Sequence, residues 1–227
     1  MKMLVFAAIL SAASEARAGA CLGEDEVVAE VVQLEAYAKN AKDRVPGFLC
    51  VRVAVTDEIG AIPAAHRKAL RDRIDKACTT ILGRDHEDGE CIELGIRLGN
   101  KSMAGVDFFD VVSKYKLHVA SWDRWTPMLW MLGQLGDSRG APIIRDAWTA
   151  EIEVAAAHEK ARHHNYLQAW AGWRKEAAGT LGKIGTATDE KFLEDQAAAT
   201  KDIYVRQACL DAVKAIEQRL AATSPKP

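Results

Sequence analysis

Apolar residues in the first third of the chain recur at intervals of three and four. Val27, Val28, Val31, Leu34 and Ala38 form one stripe on the otherwise charged stretch Glu24–Asp43, which predicts an amphipathic helix. A second stripe, Leu70, Ile74, Ala77, Cys78 and Ile81, follows Pro63. Proline suits the first turn of a helix, where its missing N–H would have no partner. Between the two, Phe48, Val51, Val55 and Ile59 share a helical face after Pro46, whereas Leu49, Val51, Val53 and Val55 also alternate as a strand would. No partner strand is legible elsewhere, which favours helix. Gly83-Arg84-Asp85-His86-Glu87-Asp88-Gly89 then breaks the pattern.

Beyond this turn the helix ends repeat. Leu98-Gly99-Asn100, Leu135-Gly136-Asp137 and Ile184-Gly185-Thr186 close three apolar segments, and Leu132-Gly133-Gln134-Leu135-Gly136 aligns with Leu181-Gly182-Lys183-Ile184-Gly185. A fourth copy, Arg206 to Ile216, lies on Arg174 to Ile184 without a gap. A glycine just past the last apolar residue can take the left-handed conformation that ends a helix. The earlier glycines, Gly133 and Gly182, cost helix propensity but let a neighbouring helix approach, as do Ala177, Ala178, Ala208 and Ala212. Such helices bury their apolar faces only against stacked neighbours.

The segments WTPMLWMLGQLGDSRGAPII and RKEAAGTLGKIGTATDEKFLEDQ resemble HEAT-like repeats of the type found in phycobilisome lyases. The resemblance covers about residues 88–221. It implies an all-α fold, a short α-solenoid of stacked antiparallel helix pairs, and leaves function open because the repeat recurs in unrelated proteins. Successive helix ends at 98, 135, 184 and 216 are separated by 37, 49 and 32 residues, so the repeats are irregular. The longest interval holds one long helix, Ala141 to Arg162, followed by a turn at His163-His164-Asn165. The expected organisation is a signal peptide at 1–20, an N-terminal helical region at 21–83 as a diverged cap, the repeats at 84–222, and a disordered tail at 223–227.

The N-terminal expectation rests on Lys2, the apolar run Leu4 to Ala13, and the small-x-small sites Ala16-Arg17-Ala18 and Ala18-Gly19-Ala20. A run of this length is too short to span a bilayer, which favours a cleaved secretory signal. Gly19-Ala20-Cys21 resembles the acylation site of bacterial lipoproteins, except that Ala18 stands where leucine is usual. Lipidation of Cys21 is therefore a secondary expectation. The predicted address is exported: periplasmic, secreted or envelope-associated, without a transmembrane span.

Composition narrows the functions. Of 227 residues, 49% are hydrophobic and 27% charged, with a net charge of −2. The chain is too apolar for disorder, and nothing in its overall charge suggests a nucleic-acid partner. Export would allow disulfides. The five cysteines fit no CxxC pair. Cys78 and Cys91 fall nearly level on either side of the turn centred at residue 85 and are the expected bridge. Cys21 and Cys50 are separated by a helix of about 30 Å, and Cys209 reads as a small buried apolar residue, with the pairing of Cys50 and Cys209 left open.

No catalytic residue, metal site or cofactor is expected. His158, His163 and His164 cluster, but His158 and His163 lie about 140° apart on a continuous helix and should not converge. His158-Glu159 is not followed by the histidine of a zinc-hydrolase motif. The dyads His86-Glu87 and His158-Glu159 are too few, and wrongly placed, for the di-iron site of deoxyhypusine hydroxylase, which is also built from HEAT-like repeats. All six tryptophans fall between residues 122 and 173, with Trp122/Trp125 and Trp170/Trp173 as i, i+3 pairs. They either fill the core between wide repeats or, in part, line a concave binding surface. The functional expectation is a non-catalytic binding or scaffolding module that meets a protein partner around Trp122, Trp125, Trp170 and Trp173. A lyase-like or tetrapyrrole-handling protein and a purely structural envelope protein are the rivals.

Overall fold

The computed structural model describes residues 23–40, 49–55, 62–115, 117–119 and 122–223. Within them the chain is almost wholly helical, as its periodicity predicts. The signal segment, Cys21 and the C-terminal four residues lie outside the described residues. The chain divides into two compact units, one ending at Phe108 and one beginning at Phe109.

The first unit contains α1 (Glu24–Lys39), α2 (Leu49–Val55), α3 (Ala64–Leu82) and α4 (Gly89–Arg97). The stripes read from sequence are its core: Val27, Val31 and Leu34 of α1 face Leu70, Ile74, Cys78 and Ile81 of α3, all buried. Val51 and Val55 are buried on α2, so the alternating stretch is helical. Arg73 of α3 forms a two-pronged ion pair with Glu35 of α1, 2.8 Å on each prong. These hydrogen bonds hold the Glu35 carboxyl below the usual glutamate range. Asp88 caps α4 by accepting from the Cys91 N–H at 3.0 Å. Helix α4, grouped with the repeats by sequence, packs against α2 and α3 in this unit.

One element was not legible. After α4 the chain makes a small antiparallel hairpin, β1 (Ser102–Met103) and β2 (Val106–Asp107). Its turn places Ala104 at φ 53° and Gly105 at φ 81°, the left-handed pair that matches strand twist. Strands of two residues leave no alternation to detect.

The short helix α5 (Phe108–Val112) leads into the second unit, which holds α6 (Trp122–Leu135), α7 (Gly140–Lys160), α8 (His164–Ile184), α9 (Ala187–Ala199) and α10 (Ile203–Thr223). Helix α8 lies between α6 and α10, while α7 packs on α8 and α9 on α10. Glycines mark close approaches at the α6–α8 and α8–α10 seams. A Cβ on Gly133 would lie 3.6 Å from Thr180 Cγ2 and 3.3 Å from Lys183 Cδ, and one on Gly182 would lie 3.1 Å from Ala212 Cα.

The helix-end glycines do not all act as expected. Gly99 and Gly136 are left-handed, at φ 88° and 64°. Gly185 is not, with φ −66° and ψ 168°. There the requirement is space, because a Cβ would come within 2.6 Å of the Leu181 carbonyl oxygen and 3.0 Å of Ile216 Cδ1.

Candidate functional site

The second unit is organised around an aromatic cluster. Trp148 of α7 meets Trp170 and Trp173 of α8 edge to face, with ring centroids 6.0 and 5.7 Å away, and Phe192 of α9 at 5.6 Å. Trp170 and Trp173 lie 5.3 Å apart at a shallow angle, the consequence of their i, i+3 spacing on α8. Trp148 and Trp173 are sealed in the core and Trp125 is buried on α6. Trp122 opens α6, and its side chain lies outside the described residues.

Trp170 has a second role. Beside it is a cavity of about 480 Å³. Helix α7 contributes Trp148, Ile152, Ala155 and Ala156, and α8 contributes Leu167, Trp170, Ala171 and Arg174. The α9 end and the α9–α10 connection close it with Ala199, Thr200 and Asp202, and Glu159 and Lys201 also face it. Small side chains on α7, α8 and α9 leave this space open, and Trp148 and Trp170 border it. Of the four tryptophans that sequence points to, the structure places Trp170 at this cavity and Trp125 and Trp173 in the core.

Arg174 gives the cavity its polarity. One turn after Trp170, its guanidinium carbon sits 5.0 Å from that ring, an i, i+4 cation–π contact. Nη1 donates to Thr200 Oγ1 at 3.2 Å. Nε is buried without an acceptor, and among the described residues no carboxylate lies within ion-pair distance of Arg174. Burial lowers its pKa, partly offset by Asp202. Asp202 is itself engaged in capping α10, accepting from the Tyr204 and Val205 N–H groups at 2.9 and 3.1 Å. Trp148 Nε1 is likewise buried without an acceptor. Sequence reasoning passed over Arg174; the signal was the Trp170-to-Arg174 spacing.

The histidine cluster corrects an expectation. His158 and His163 do converge, with their Nδ1 atoms 2.8 Å apart. Helix α7 stops at Lys160, Arg162 turns left-handed at φ 59°, and His163 precedes α8 rather than continuing α7. The angle drawn on a continuous helix therefore does not apply. A direct Nδ1–Nδ1 hydrogen bond requires one ring to donate and the other to accept. The His158 ring stacks on Tyr166 at 3.8 Å, and Tyr166 donates its hydroxyl to the buried Glu151. Burial, then that bond, raises the Tyr166 pKa. Glu151 also accepts from the Val119 N–H at 3.2 Å and lies 3.3 Å from His118 Nδ1. His158, His163, His164 and Tyr166 together line an open recess. His86 and Glu87 are exposed in the α3–α4 turn. Among the described residues, no group of three or more histidine, cysteine, aspartate or glutamate side chains is arranged to hold a metal ion.

The cysteines also differ from expectation. Cys78 and Cys91 are free and buried thiols rather than a bridge. The level placement across the turn is real, since the two thiols hydrogen-bond and this contact, with burial, pushes the Cys91 pKa up. Among the described residues Cys50 is disulfide-bonded. Beside it the Val51 N–H donates to Glu30 Oε2 of α1 at 2.8 Å; the expectation for Cys21 falls outside the described residues. Cys209 is free and fully buried, its pKa raised to about 11 by burial. Among the described residues no helix is long and apolar enough to cross a membrane. Comparison with protein-family models, with curated proteins and with solved structures finds no match for this chain.

Proposed function

We propose that this chain is an exported, non-catalytic binding or scaffolding module whose second unit is a short HEAT-like solenoid presenting a docking surface to a protein partner. The observation that carries this reading is the α7–α9 cavity, where an indole, small aliphatic side chains and an arginine without a carboxylate partner share one wall system. Cavities of a few hundred Å³ with mostly apolar walls and few polar groups are typical binding sites. Tryptophan and arginine are the side chains most enriched where binding energy concentrates. The matching seams of α6, α8 and α10 support the repeat reading, since equivalent positions meet at successive interfaces.

The test is capture of envelope proteins by the full chain beside its Ala156→Trp variant. Ala156 is exposed and lines the cavity, so the added ring obstructs the cavity without entering the core. A protein retained by the unmodified chain and lost by the variant, with unchanged melting temperature, supports the proposal. Equal retention by both removes the cavity from the docking surface.

A further inference from the structure

We infer that His158 and His163 form an acid-sensitive latch across the α7–α8 turn, closed while their Nδ1 atoms share one proton and open once both rings are charged. The latch is independent of the cavity and of any partner. The two Nδ1 atoms are 2.8 Å apart and the ring centroids 5.0 Å apart, so the rings meet nearly head-on through these nitrogens. Such a bond needs one N–H donor and one bare acceptor. It persists when the pair is neutral and when it carries one positive charge, because one Nδ1 still lacks a proton. A second charge puts a proton on both nitrogens, and the acceptor is gone.

The turn needs a fastener. Arg162 sits at φ 59°, a left-handed conformation that is unfavourable for a residue with a side chain. On either side of it His163 is tied to His158 twice: through the rings, and through the His163 N–H donating to the His158 carbonyl at 2.9 Å. The His158 ring is held in place by its stack on Tyr166 at 3.8 Å, and Tyr166 is bonded to the buried Glu151. His163 is exposed and is the half that can swing away.

The neighbouring charges favour opening. Helix α7 brings Glu159 and Lys160, the turn brings Arg162, and α8 brings His164 and Tyr166. Glu159 lines the α7–α9 cavity, and Glu151 is taken up by Tyr166, the Val119 N–H and His118. Lys160 and Arg162 are standing cations that repel a second imidazolium. The pair lines an open recess, so protons reach it from solvent. Imidazole is also the side chain that changes charge between about pH 5 and about pH 8.

The experiment follows the full, isotope-labelled chain by NMR as pH is lowered from about 7.5 to about 5. Nitrogen shifts report the protonation of each imidazole atom, and amide order parameters report the motion of Arg162, His163 and His164. At the upper pH the two Nδ1 atoms together are expected to carry one proton, and the turn to be ordered. At the lower pH both should be protonated, and the order of the turn should fall. His158→Phe keeps a ring on Tyr166 but removes the latch, so its turn should be mobile at both pH values. No proton on either Nδ1 at the upper pH would overturn the shared bond. Order that survives protonation of both rings would overturn the latch, as would a His158→Phe turn as ordered as the parent's. The titration of the unmodified chain needs no variant, so misfolding of His158→Phe leaves it decisive.

Discussion

Gly182 and Ala212 touch: a Cβ on the glycine would lie 3.1 Å from the alanine Cα and 3.3 Å from its Cβ. Helices α8 and α10 are thus in backbone contact there. By contrast, Gly179 on the same helix has nothing within 4 Å of its Cβ direction. Gly182→Ala should destabilise the chain by about 1–3 kcal/mol, because backbone must move. Gly179→Ala should stabilise it by up to about 1 kcal/mol through helix propensity. Urea denaturation of the two variants checks the opposite signs, and equal effects would mean that the seam can open.

Asp189 is 1% exposed and binds three groups. It pairs with Arg145 of α7 at 2.8 Å and accepts from the Thr186 N–H and Oγ1 at 2.6 and 3.0 Å. Replacing it with alanine strands a partly buried arginine and uncaps α9, at an expected cost of about 3 kcal/mol. Arg145→Met should cost less than Asp189→Ala, since Asp189 keeps its two bonds to Thr186. Equilibrium unfolding of both variants tests the ranking.

Acid should weaken the α1–α3 contact. The Arg73 hydrogen bonds hold the Glu35 pKa below its unfolded value, so the unfolded chain binds the proton more tightly. The resulting stability is present above the unfolded glutamate pKa of about 4.3 and is lost as pH falls through the lower folded value. Glu35→Gln should therefore be less stable than the parent at neutral pH, with the gap closing in acid. A constant gap from pH 7 to pH 3 would refute this.

Thiol chemistry should be silent in the native chain. Cys78, Cys91 and Cys209 are buried, and both Cys91 and Cys209 have raised pKa values, so their thiolates are scarce. All three are expected to resist a thiol reagent until the protein is denatured. A non-reduced digest should return Cys50 in a disulfide. Recovery of a Cys78–Cys91 linked pair would restore the bridge inferred from spacing.

Helix stripes were legible because burial on one face leaves a period in the sequence. Val31, Leu34, Leu70 and Ile74 are core where the pattern put them. The histidine pair was not, because its geometry depends on where α7 stops, and the left-handed turn at Arg162 carries no glycine to announce it. Gly185 was misread for a related reason. A glycine needed for space looks the same in sequence as one needed for a positive φ. The cavity joins Arg174 to Thr200 and Trp148, which no single helical period connects. Tryptophan clustering marked the region, but the arginine one turn away fixed its chemistry.

The three contacts of Glu151 bear on where the second unit can be cut. This buried carboxylate of α7 is bound by the Val119 N–H and Tyr166 and neighbours His118. A shortened chain starting at Trp122 would keep every long helix of the unit and still lose two of those three neighbours. The stranded carboxylate would then have to draw in water to replace the lost donor, a penalty of about a few kcal/mol. A durable fragment must therefore begin upstream of His118, so that both His118 and Val119 stay with the carboxylate they approach.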